Sequence, residues 1–174
     1  ERSAFSTAET QELLRVAERG GRVVVVDDQL KARRARLAVL LAQLHVGCVE
    51  REDAASPALA TSTFPGVPSP VFLRDRGRLT LEDKGGIVPL LVSGDADDPV
   101  ATAVVVGHGK GDVVVVGSGT VFANDGLTQE QSAAFLLWLV SGKAGSAGPV
   151  VIDERHHRTR GRAVIGRAAL EGPG

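Results

Sequence analysis

Two runs of four consecutive valines, Val23–Val26 and Val113–Val116, constrain this chain more than any other feature. Valine is stiff at χ1 and packs well on a pleated surface. Four in a row leave a strand no polar face, so such a strand has to be covered on both sides. Double cover is the arrangement of α/β proteins, in which helices flank a mainly parallel sheet. Val150–Ile152 reads the same way, and all three segments are expected as interior strands.

The flanks of these strands agree. Ser6 and Glu9 have the spacing of a capping box, Leu13, Leu14, Val16 and Ala17 form an apolar side, and Gly20-Gly21 ends the helix before the first valine run. Near the other end Thr128 and Gln131 form a second capping pattern. Phe135, Leu136, Leu137, Trp138, Leu139 and Val140 follow, and a Gly/Ser/Ala stretch with Pro149 leads to Val150–Asp153. Both ends therefore read helix, glycine break, valine-rich strand, acidic terminus. So few polar positions remain in the helix after Thr128 that cover on more than one side is expected. A third helix is expected over roughly 31–45, where Leu37, Leu40, Leu41 and Leu44 share one face.

Between these units the pattern changes. Pro57, Pro65, Pro68 and Pro70 mark a loop, followed by short β-like pieces broken at Arg76-Gly77 and Lys84-Gly85-Gly86. Ala101–Val106 and Asp112–Val116 flank "GHGKG", a hairpin by spacing and glycine content. The expected fold is an α/β three-layer sandwich with a mainly parallel sheet and a β-rich insertion over about 53–107. Residues 1–158 are expected to form a single domain, and 159–174 a basic C-terminal tail.

Composition narrows the function classes. A net charge of −1 argues against a nucleic-acid or membrane-surface binder, and the lone Cys48 excludes an internal disulfide or a multi-cysteine metal site. The longest apolar runs are strand-sized, far short of the 18 or so residues of a membrane span. Methionine is absent even at position 1, so a processed chain or an excised domain is expected.

Motifs for catalysis are incomplete. Ser118 follows a strand as a nucleophile elbow requires, but Val116 and Thr120 stand where that elbow has glycines. Cys48 has the setting of a small buried apolar residue. "GHGKG" lacks the Lys-Ser/Thr pair of a phosphate loop, and "GSGTVF" has Phe122 where the dinucleotide fingerprint has its third glycine. The densest chemistry is "DERHH": Asp153, Glu154, His156 and His157 could bind a metal or exchange protons, although neighbours on a strand point to opposite faces. Asn124 and Asp125 in "FANDG" have the composition of a turn into a helix. A parallel strand-helix-strand unit would bring the "ANDG" and "ERHH" loops to one sheet edge, where open α/β sheets hold ligands.

The stretch "GKGDVVVVGSGTVFANDGLTQEQSAAFLLWLV…GPVVIDERHH" resembles the bacterial family named domain of unknown function 4350. Gly109, Gly111, Asn124, Asp125, Gly126, Leu127, Asp153, Glu154, His156 and His157 occupy its motif positions, and "ERGGRVVVVDD" is similar to its helix-GlyGly-strand unit. The chain departs from the pattern at the asparagine of the last long helix, where Gln131-Ser132 stands, and in the strand-helix-strand that opens the fold. The family is similar in fold to class I glutamine amidotransferases and to a domain of gliding-motility and intraflagellar-transport proteins. The resemblance implies a flavodoxin-like core without the catalytic triad. It also implies flanking transmembrane helices and thus a membrane-anchored protein with this domain on the extracytoplasmic side.

These readings lead to a non-catalytic interaction or scaffolding domain with a protein partner, no cofactor, no metal, no catalytic residue and no nucleic acid, reaching the membrane only through flanking segments. Two alternatives stand beside it: a small-molecule domain, with carbohydrate the class distant relatives suggest, and a degenerate hydrolase using Ser118 or the Asp153–His157 cluster. An aromatic content of 3% weakens the sugar reading, because sugar sites present aromatic faces.

Overall fold

A computed structural model describes residues 5–26, 34–50, 57–60, 64, 66–72, 77–82, 85–94, 97–119, 122 and 124–141. Helix α1 (Thr7–Glu18) begins with the capping box expected from Ser6 and Glu9: the Glu9 N–H donates to Ser6 Oγ at 3.2 Å, and the Ser6 N–H donates to the Glu9 carboxylate at 2.9 Å. It ends in a Schellman motif. The Gly21 N–H reaches the Val16 carbonyl and the Gly20 N–H the Ala17 carbonyl, each at 2.9 Å, with Gly20 at a left-handed φ of 102°.

The chain then enters β1 (Arg22–Val26), passes through α2 (Arg34–Gln43) and β2 (Val46–Glu50), and continues into β3 (Pro57–Ala60), β4 (Val71–Phe72) and β5 (Gly77–Leu81). The centre of the sheet comes next: β6 (Ile87–Ser93), β7 (Val100–His108) and β8 (Gly111–Val116). A single helical turn, α3 (Asn124–Leu127), precedes α4 (Glu130–Ser141). The strands form a six-stranded sheet in the order β1-β8-β7-β6-β3-β4, and β2 with β5 a separate antiparallel pair. Pro89 lies in β6, and the ladder to β7 shifts register between Pro89 and Leu91, an irregularity that suits a residue with no N–H to donate.

The double cover read from the valine runs is present. Val23, Val25, Val104, Val106, Val113 and Val115 face one core, with Leu14 and Ala17 of α1 and Leu40 of α2. Ala103, Val105, Val114 and Val116 face the other, with Phe135 and Leu139 of α4. All four valines of β8 are fully buried. The protein is a mixed α/β domain.

Three expectations are corrected. The sheet is not mainly parallel among the described strands: β1 runs parallel to β8, and every other ladder of the six-stranded sheet is antiparallel. The two-residue turn Gly109-Lys110 obliges β7 and β8 to run antiparallel, since a parallel pair needs a long crossover. Within the described sheet β1 is a terminal strand with alternating burial, Val23 and Val25 inside and Val24 and Val26 half-buried. Finally, α4 buries one face only. Phe135, Leu139 and Ser132 are inside, whereas Leu137 is 67% exposed and Val140 40%. The stretch over 53–107 contributes β3, β4, β6 and β7 to the main sheet and β5 to the small one. The segment Val150–Asp153 lies outside the described residues.

Candidate functional site

At the N-terminal end of the β1–β8 pair, two glycine motifs meet as backbone against backbone. The Lys110 N–H at the β7–β8 turn donates to the Glu18 carbonyl of α1 at 3.2 Å, and the Asp112 N–H donates to the Gly21 carbonyl at 3.3 Å. A Cβ on Gly111 would lie 2.0 Å from the Gly21 oxygen, and one on Gly109 would lie 2.6 Å from the Glu18 Cα. Gly109 also holds φ 61°, the left-handed value that the first position of a primed hairpin turn requires. "GHGKG" and "ERGG" are thus the two halves of one contact, and their glycines are explained by close approach.

Beside that contact sits a charged cluster. Arg22 and Asp112 are register partners, and the Arg22 Nε and Nη2 donate to the two oxygens of Asp112 at 2.7 and 2.9 Å. Both side chains are nearly buried, at 12% and 10% exposure. The Arg22 guanidinium lies 4.8 Å from the ring centroid of Trp138 on α4, and Trp138 packs against Phe64 edge-on and Phe135 in a stack. The remaining nitrogen, Nη1, is buried without a hydrogen-bond partner among the described residues. The arrangement clamps α4 to the sheet through a forked ion pair and a cation–π contact. Sequence reasoning missed it, yet a signal was present: each valine run is preceded by one charged residue, and the two have opposite signs.

At the C-terminal end of β8, Ser118 is buried at 1% exposure, next to the Gly117 N–H that donates to the Thr102 carbonyl at 2.9 Å. A histidine able to activate it would have to stand beside it. His108 pairs with Gly111 at the opposite end of the β7–β8 ladder, about 20 Å away along an extended strand. There its Nε2 lies 3.5 Å from a Glu18 carboxylate oxygen. His45 Nδ1 stands 3.0 Å from Glu82 Oε2 at the entrance to β2. Cys48 packs against the core from β2 but is only half-buried, less enclosed than its sequence setting indicated.

The polar residues singled out from the sequence fare unevenly. Asn124 and Asp125 open the helical turn α3, where a loop was expected, between β8 and α4. Their side chains lie outside the described residues, as do Asp153, Glu154, His156 and His157 altogether. No cluster of three or more histidine, cysteine or acidic side chains able to hold a metal occurs among the described residues. Nor is any helix among them long and apolar enough to cross a membrane.

Fold and site together define a mixed α/β domain whose sheet is cored on both faces and whose glycine motifs lock helix, hairpin and strand. The chain belongs to the family called domain of unknown function DUF4350, whose model matches residues 1–140 and so includes the middle of the chain but not Asp153–His157. No curated protein matches the sequence.

Solved structures of similar fold include the mmIFT52 N-terminal domain, 16% identical with TM-score 0.58, the match covering 79% of this chain and 73% of that one. Another is the cytoplasmic protein STM1381 from Salmonella typhimurium LT2, 20% identical with TM-score 0.54, covering 77% of this chain and 60% of that one. A β-galactosidase from Rahnella sp. R3 is similar at 16% identity and TM-score 0.52 over 78% of this chain, which spans 20% of that enzyme. At these identities the likeness is one of fold.

Proposed function

We propose that this chain is a non-catalytic interaction domain that presents a rigid α/β surface to a protein partner. The reading rests on one observation: among the described residues, the glycine motifs and the Arg22–Asp112 pair are engaged in holding the fold. Gly109 and Gly111 seat the hairpin on α1, Asp112 is committed to Arg22, and Ser118 is buried far from His108. Membership of DUF4350 and the likeness to the mmIFT52 N-terminal domain are compatible with this role.

Within the proposal the domain is a three-layer sandwich related to the amidotransferase-like fold, with a mixed sheet in place of the parallel flavodoxin-like one. It is carried on a membrane-anchored protein, on the extracytoplasmic side, through flanking segments. Any local site would gather Asn124, Asp125, Asp153, Glu154, His156 and His157 at one sheet edge. The support for that edge is the parallel β1–β8 pair, whose two C-terminal ends lie at the same end of the sheet, with α3 following β8 in the chain.

Two measurements test the reading. A fluorophosphonate probe should leave Ser118 unlabelled; stoichiometric labelling that is lost in Ser118→Ala would establish an activated nucleophile and sink the non-catalytic role. Photo-crosslinkers placed at exposed positions on different faces should each be tried in cells that express the chain. Capture of one discrete protein from a single face is the expected result, and no adduct from any face would count against a protein partner.

A further inference from the structure

We draw no further inference here: the strongest candidate, the exposed apolar face of α4 around Leu137 and Val140, carries nothing because nothing in the structure shows what covers it.

Discussion

Arg22 and Asp112 face each other on the first rung of the parallel β1–β8 ladder, and the guanidinium grips both carboxylate oxygens at 2.7 and 2.9 Å beneath the ring of Trp138. Removing one member strands a charge where little water reaches. Asp112→Ala is expected to cost ~3–5 kcal/mol. Replacing both partners by apolar residues of similar volume, as in Arg22→Met with Asp112→Leu, should recover most of that loss. Urea unfolding followed by Trp138 fluorescence decides the matter. A double-variant loss equal to the sum of the losses of the two single variants would show that the pair is not coupled.

The glycine contact makes a sharper steric forecast. Gly111→Ala drives a Cβ onto two backbone oxygens, those of Gly21 and Ala17, neither of which can rotate away. A loss of ~1–3 kcal/mol, or failure to fold, is expected from such overpacking. Gly85→Ala serves as the control, because a Cβ there meets nothing within 4 Å. Its effect should stay within ~0.5 kcal/mol, as for ordinary surface changes. Similar midpoints in thermal melts of the two variants would dismiss the close-approach account.

Thr10 Oγ1 in α1 and Ser132 Oγ in α4 are buried hydroxyls that find no acceptor among the described residues. Each is desolvated without return, so removing it should help. Ser132→Ala and Thr10→Val are each expected to raise stability by up to ~1 kcal/mol. For a domain of this size that is a rise in melting temperature of ~2–4 °C. Calorimetry showing either variant destabilised would mean that the hydroxyl has a partner in solution.

The one-sided burial of α4 separates residues that sequence reading had grouped together. Leu139→Ala empties a packed position and should cost ~2–5 kcal/mol. Leu137→Ala should change stability by less than ~0.5 kcal/mol in the isolated domain, because that side chain stands mostly in solvent. Comparable losses from both, measured by denaturant titration, would mean that the outer face of α4 is covered.

The legible parts were those set by local chemistry. Ser6 and Glu9 announce a helix start because their side chains satisfy each other's backbone, and Gly109-Lys110 announces a hairpin because the turn needs a left-handed residue. Val113–Val116 announce double burial for the same kind of reason. Strand direction was not legible, since a valine run demands cover on both faces whichever way its neighbours point. The outer face of α4 was not legible either: Leu137 and Leu139 are the same residue type, and only the orientation of the helix on the sheet separates them. Arg22 and Asp112 read as ordinary strand-end charges until the register placed them side by side. Asn124 and Asp125 were legible as a turn into a helix, but their fitness for chemistry depends on neighbours far along the chain.

The docking of the β7–β8 turn onto α1 has a consequence for the order of folding. Arg22 and Asp112 are 90 positions apart, so on a growing chain α1 and β1 leave the ribosome long before the strand that completes them exists. Joining the ends of so long a segment is slow, whereas β6, β7 and β8 follow one another and can pair as a local meander. We expect the amides of β7 to gain protection before those of β1 when refolding is followed by pulsed hydrogen exchange. The reverse order would show that the N-terminal unit nucleates the sheet. Until the late hairpin arrives, the Val23–Val26 strand is an unpaired adhesive edge, and translation speed across the middle of the message sets how long it stays exposed.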